Sequence, residues 1–120
     1  GICALRPGVE EVSENINVRS IVGRFLEHTR IFYFQNDDQQ EIYLSSADWM
    51  DRNFFNRVET CFAVEDKRLR DRILKQGLNN YLTDNTRAWQ LRSDGTYVRT
   101  KPGTSRPRDA QLTLLEQLSE

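Results

Sequence analysis

The sequence predicts an α/β (α+β) domain in which a mixed β-sheet is flanked by helices, and three observations carry that prediction. Short β-branched and aromatic runs such as Ile31-Phe32-Tyr33-Phe34 and Glu41-Ile42-Tyr43-Leu44 read as strands. Between strand-like runs, Asp66 to Thr83 carries apolar residues at helical spacing. The 120 residues, 38% hydrophobic and 29% charged, suffice for one domain, 1–120, with a core of its own.

The elements run in order along the chain. Gly1 to Leu5 is a short apolar strand that Arg6-Pro7-Gly8 stops. Val9 to Asn15 is an acidic loop, with Ser13 or Asn15 available to cap the next element. In Asn17 to Phe25 the positions of Val18, Ile21, Val22 and Phe25 fit a helix, whereas the β-branched content and Gly23 fit a strand. The balance falls on a short helix or an extended lead-in. A hairpin then spans about Phe25 to Ser45, its loop formed by Asn36-Asp37-Asp38-Gln39-Gln40. Asp48 to Arg57 is a turn or short helix, and Arg57 to Val64 alternates as a strand.

Asp66 is the expected N-cap of the clearest helix, whose stripe is Leu69, Ile73, Leu74, Leu78, Tyr81 and Leu82. Asp84-Asn85 ends it. Thr86 to Leu91 and Thr96 to Thr100 flank the hairpin turn Ser93-Asp94-Gly95. Lys101 to Arg108 is a Pro/Gly/basic linker, and Pro107 opens a last helix with Leu112, Leu115 and Leu118 on one side.

A formal charge of −1 gives no global field to recruit nucleic acid or an anionic membrane. Arginine outnumbers lysine heavily, which suits planar grips on phosphate or carboxylate. Cys3 and Cys61 lack metal or disulfide spacing and read as buried small hydrophobes in a reducing compartment. With no signal peptide and no apolar run near ~18 residues, a cytoplasmic protein without a transmembrane segment is expected. The abrupt apolar start at Gly1 reads as a domain cut from a longer protein.

Candidate chemistry gathers where the first hairpin closes. His28 and Arg30 lie two apart on a strand and share a face, and the return strand brings Ser45 and Ser46 near the level of His28. Histidine titrates near neutrality and can donate a proton to a phosphate leaving group. A lone histidine is more often structural; the neighbouring guanidinium and hydroxyls raise its standing. Ser45-Ser46-Ala47-Asp48-Trp49 is equally an ordinary strand-to-helix cap or an anion-holding turn. Asp37-Asp38 reads as a solvated turn rather than a magnesium site. Arg57 and Glu59, on local evidence, read as a surface ion pair. No P-loop, GxGxxG, HExxH or nucleophile elbow is present.

GICALRPGV, SENINVRSIVGRFLEHTRIFYF, EIYLSSADWMDRN and NRVE together resemble the last domain of the bacterial polyphosphate kinases, over roughly residues 1 to 92. The resemblance implies a phospholipase D-like fold, with the hairpin similar to that superfamily's HxKxxxxD…GSxN signature. Here Arg30 takes the lysine position, Gln35 the aspartate position, and Ser45-Ser46 the place of Gly-Ser. Those departures suit phosphate binding rather than phosphodiester hydrolysis.

The family transfers the terminal phosphate of ATP reversibly to inorganic polyphosphate through a phosphohistidine in the preceding domain. The resemblance makes His28 the second active-site histidine and places Arg57 and Glu59 along the ATP tunnel. It implies ATP and phosphate contacts from His28, Arg30, Ser45, Ser46, Arg57 and Glu59, with Mg2+ bridging the nucleotide in the intact enzyme. It further implies partners in the remaining domains of the same polypeptide, a homo-oligomer at full length, and peripheral membrane association as an open option. The competing expectations are a phospholipase D-like phosphodiesterase, which needs a second copy of the histidine motif, and a non-catalytic polyanion-binding module.

Overall fold

Asp37 and Asp38 both adopt left-handed backbone, at φ 43° and 66°, and turn the chain within two residues. Positive φ at both central positions is the mark of the hairpin turn that matches strand twist. The strands it joins, β2 (Arg30–Asn36) and β3 (Gln39–Ser45), pair from Asn36↔Gln39 down to Arg30↔Ser45. The hairpin stands as expected, but its loop has two residues rather than about five. Asn36, Gln39 and Gln40 belong to the ladder despite their turn-forming character.

These strands belong to a computed structural model that describes residues 3–119. Before them comes β1 (Arg19–Ile21); after them come α1 (Asp51–Asn56), β4 (Cys61–Ala63) and α2 (Lys67–Ile73). A π-helical segment (Leu74–Asn79) leads to α3 (Asn80–Leu82), then β5 (Ala88–Leu91), β6 (Tyr97–Arg99) and α4 (Ala110–Leu118). The chain divides into two compact units, Leu26–Asn80 and Gly1–Phe25 with Tyr81–Glu120.

In the Leu26–Asn80 unit the sheet order is β2-β3-β4, antiparallel throughout. Its buried apolar centre is Ile42, Ala47 and Val64. The helix after β4 begins as expected, with the Asp66 carboxylate accepting from Leu69 N at 2.9 Å. Its middle is π-helical instead of α-helical, so the apolar stripe drifts: Ile73, Leu74 and Leu78 are half-buried while Leu69 and Leu82 are exposed. A Cβ on Gly77 would run into Ile31 Cδ1, which explains glycine at this helical position.

The second unit carries the sheet β1-β5-β6, also antiparallel. Arg19–Ile21 is a strand, so the β-branched content wins over the helical spacing in Asn17 to Phe25. Ser13 caps nothing ahead of it. Its hydroxyl donates to Arg6 O at 2.7 Å and accepts from Val9 N at 3.0 Å, closing the loop behind it. Asp84, 1% exposed, is the buried centre of this unit. Its Oδ1 accepts from the backbone of Thr86, Arg87 and Ala88, and its Oδ2 accepts from Ala110 N at 2.8 Å. The last helix starts after Asp109, whose carboxylate accepts from Gln111 N and Leu112 N, so the cap lies two residues beyond Pro107.

Three further expectations are corrected. The mixed sheet is two separate three-stranded antiparallel sheets, because turns as tight as Asp37-Asp38 can only return a strand antiparallel. The strand expected over Gly1 to Leu5 falls partly outside the described residues, and Cys3 to Leu5 is irregular and pairs with no strand among the described residues. Cys3 and Cys61 are both exposed rather than buried; Cys61 sits on β4, which ends its sheet and is exposed along its length.

Candidate functional site

The end of the first hairpin is built from the register Arg30↔Ser45, which sets the residues just before β2 against those just after β3. Arg30 is half-buried and makes two bonds there. Its Nε donates to Asp48 Oδ1 at 2.8 Å, and its Nη1 donates to the His28 carbonyl at 2.6 Å. The Asp48 hydrogen bond raises the Arg30 guanidinium above its ordinary value, against a smaller opposing cost of desolvation. The same bond holds the Asp48 carboxyl below the usual carboxylate range, helped by the charges of Arg52 and His28.

The two serines work differently. Ser45 Oγ accepts from Ala47 N at 3.0 Å and shapes the turn. Ser46 Oγ donates to Glu59 Oε2 at 2.5 Å and accepts from Thr60 N at 2.9 Å. Ser46 N also donates to Thr60 O at 2.9 Å, which continues the β3–β4 pairing past the last regular residue. Glu59 thus reaches the hairpin end, and its charge adds to the field that raises Arg30.

His28 is exposed, so its ring is open to solvent rather than sealed in apolar surroundings. The arrangement therefore brings His28, Arg30, Ser46, Asp48 and Glu59 to one end of the hairpin. Arg57 does not join them by any contact. Its side chain is exposed and makes no hydrogen bond or ion pair among the described residues. The surface ion pair between Arg57 and Glu59 is absent among those residues, since Glu59 bonds Ser46 instead.

Neither Ser46 nor Asp48 caps the following helix. Met50 holds the N-cap position of α1 and supplies no side-chain hydrogen bond. Asp48 as the partner of Arg30 escaped the sequence reading, although Ser45 opposite Arg30 puts Asp48 three residues beyond. Asn53 was not singled out either; it is 3% exposed, and its Oδ1 finds no hydrogen-bond partner among the described residues. Trp49 is 76% exposed and leans on Phe32 with ring centroids 5.8 Å apart.

Chemically the cluster offers a solvent-open imidazole, a guanidinium anchored by a carboxylate, and a hydroxyl held by a second carboxylate. An anion would meet the imidazole and the unbonded guanidinium edge, while Asp48 keeps the guanidinium in place and Glu59 holds Ser46. Among the described residues no three His, Cys, Asp or Glu side chains gather to hold a metal ion, and no helix is long and apolar enough to cross a membrane.

Comparison with known proteins adds a separate line. The family described as Polyphosphate kinase C-terminal domain 2 matches residues 1–111. A polyphosphate kinase of Pseudomonas putida is 62% identical over 120 residues, which is 99% of this chain and 16% of that protein. One from Pseudomonas aeruginosa is 59% identical over 120 residues, 99% of this chain and 17% of its own length. The crystal structure of polyphosphate kinase from Porphyromonas gingivalis superposes with a TM-score of 0.91 at 38% identity, over 99% of this chain and 18% of that one. The chain thus spans roughly one sixth of the length of the curated relatives it matches.

Proposed function

This chain belongs to the polyphosphate kinase family, as its C-terminal domain 2, and from that premise we propose that it supplies phosphate-binding groups for reversible transfer of the terminal phosphate of ATP to inorganic polyphosphate. The solvent-open His28 beside the Arg30–Asp48 pair is the observation that carries this reading. In it, the bond between the γ-phosphorus and its bridging oxygen breaks while a bond to an imidazole of another domain forms. His28 gives its proton to the departing oxygen. Arg30 and Arg57 add positive charge around the phosphoryl oxygens, and Ser46 and Glu59 hold the hairpin end that carries Arg30.

Phosphoryl transfer asks little covalent work of the protein, so positioning and electrostatic stabilisation dominate. Mg2+, held by the nucleotide's phosphates, would supply further positive charge against the phosphoryl oxygens. A free arginine is an asset in such a site. Among the described residues Arg57 has no hydrogen-bond or ion-pair partner to give up when phosphate arrives, whereas Arg30 is already fixed by Asp48. The positions then divide into a preset brace and an available grip.

The test is His28→Ala in the full-length protein. Synthesis of polyphosphate from ATP should disappear while the melting temperature stays unchanged, because the exposed ring contributes little packing. Near-normal synthesis would refute the role. Arg57→Ala should lower kcat/KM by about 10²–10³-fold, the size of losing one transition-state contact.

A further inference from the structure

From Arg87 to Arg108 the sequence holds six basic residues, Arg87, Arg92, Arg99, Lys101, Arg106 and Arg108, against the single acid Asp94. In a chain of net charge −1 this is a strong local imbalance. All six side chains are exposed. A charge run of this kind is ordinarily a solvated face, but here the backbone that carries it is pinned. Asn85 Nδ2 donates to Arg106 O at 3.1 Å, Asn85 Oδ1 accepts from Arg108 N at 2.8 Å, and Asn85 N donates to Arg108 O at 3.1 Å. Thr86 Oγ1 donates to the same Arg108 carbonyl at 3.1 Å, and the buried Asp84 holds Ala110 N beyond it.

The pinned loop forms one wall of a recess of about 480 Å³, closed on the other side by Leu112, Thr113 and Glu116 of α4. Arg108 reaches across to Thr83 Oγ1 at 2.9 Å, while the Arg106 guanidinium has no hydrogen bond or ion pair among the described residues. Arg99 is held outside the lining, its Nε and Nη2 donating to Thr86 O at 3.1 and 2.7 Å. Of the two acids at the recess, Asp109 is occupied by Arg87 Nε at 3.1 Å and by the first amides of α4. Only Glu116 opposes the arginines.

We propose that this recess is a second anion site, where Arg106 and Arg108 grip a stretch of inorganic polyphosphate. Arginine forks fit tetrahedral phosphoryl oxygens, and a loop fixed before binding loses little freedom on contact. None of the recess-lining residues belongs to the His28 cluster, and the role of the recess is to hold a stretch of the polyphosphate chain. The choice of polyphosphate over another polyanion rests on the kinase reading above.

Equilibrium binding to the intact full-length protein tests it, with long-chain polyphosphate and tripolyphosphate as probes. Arg106→Gln, at a side chain with no bond to lose, should weaken long-chain binding about fivefold, the worth of one exposed charge pair, and adding Arg108→Gln should repeat that loss. Tripolyphosphate, which offers fewer phosphoryl groups to the paired guanidiniums, should change less. Glu116→Gln should tighten long-chain binding by a similar factor. Lys75→Gln, which removes a positive charge from the other unit, serves as the control. Unchanged long-chain affinity in Arg106→Gln/Arg108→Gln, or an equal loss in Lys75→Gln, would overturn the grip. Failure of the wild-type protein to make polyphosphate from ATP would instead overturn the kinase reading, whatever the binding result.

Discussion

Asp48 fixes the geometry of the hairpin end through one hydrogen bond, and that bond has a pH signature. Because Arg30 Nε donates to it at 2.8 Å, the folded-state carboxyl lies below its ordinary value of 3.8. A carboxyl depressed on folding contributes stability above the unfolded pKa and loses it as pH falls through the folded pKa. Melting temperature should therefore decline as pH drops below about 4, and Asp48→Asn should flatten that decline. A melting curve with the same acid limb in both proteins would remove Asp48 from the account. Asp84 is the counterpart in the other unit and works without a cation. It satisfies four backbone donors from a fully enclosed position. Asp84→Ala leaves the buried Ala88 and Ala110 amides unpaired, and should cost about 3 kcal/mol or more. Urea titration measures the loss, and amide exchange should quicken across Ala88–Leu91 and Ala110–Leu118.

The π-helical turn at Leu74–Asn79 brings backbone so close to β2 that no side chain fits at Gly77. Alanine would ordinarily be favoured over glycine in a helix by about 1 kcal/mol. Here its Cβ meets Ile31 Cδ1, so Gly77→Ala should instead destabilise by about 1–2 kcal/mol. Ile31→Val removes that methyl, and in its background Gly77→Ala should become neutral or favourable. Absence of coupling in the double-mutant cycle would show that the helix has shifted instead. The same element marks how far sequence reading goes. Asp66 as N-cap, Asp84-Asn85 as terminus and the two hairpins were legible, because caps and tight turns are local chemistry. The π register was not, since it depends on what Gly77 packs against. Nor were the separate sheets, because which strands meet is decided by long-range pairing between residues as distant as Arg19 and Gln90. At the site, His28 and Arg30 stood out by residue type and spacing. Asp48 and Glu59 as holders of Arg30 and Ser46 became visible only once Arg30↔Ser45 was set.

Across the whole molecule, apolar side chains are left uncovered on an unusual scale. Val58 is 102% exposed, Leu26 85%, Phe55 80% and Trp49 76%, while the fully enclosed large side chains are only Ile42 and Asp84 among the described residues. Scattered exposed apolar residues are normal on a protein surface; contiguous patches mark surfaces that bind other molecules. Phe54, Phe55 and Val58 lie within five residues, with Trp49 and Met50 just ahead of them, so one short segment carries much of the excess. A net charge of −1 supplies little repulsion to keep copies apart. In isolation the 120-residue chain should therefore self-associate, with a sedimentation coefficient that rises with concentration. Phe55→Ser with Val58→Ser should move it toward the monomer without lowering its melting temperature, because neither side chain is buried in the chain itself. A chain that stays monomeric at high concentration, or a double variant that associates as strongly as wild type, would show that the segment is not the adhesive surface.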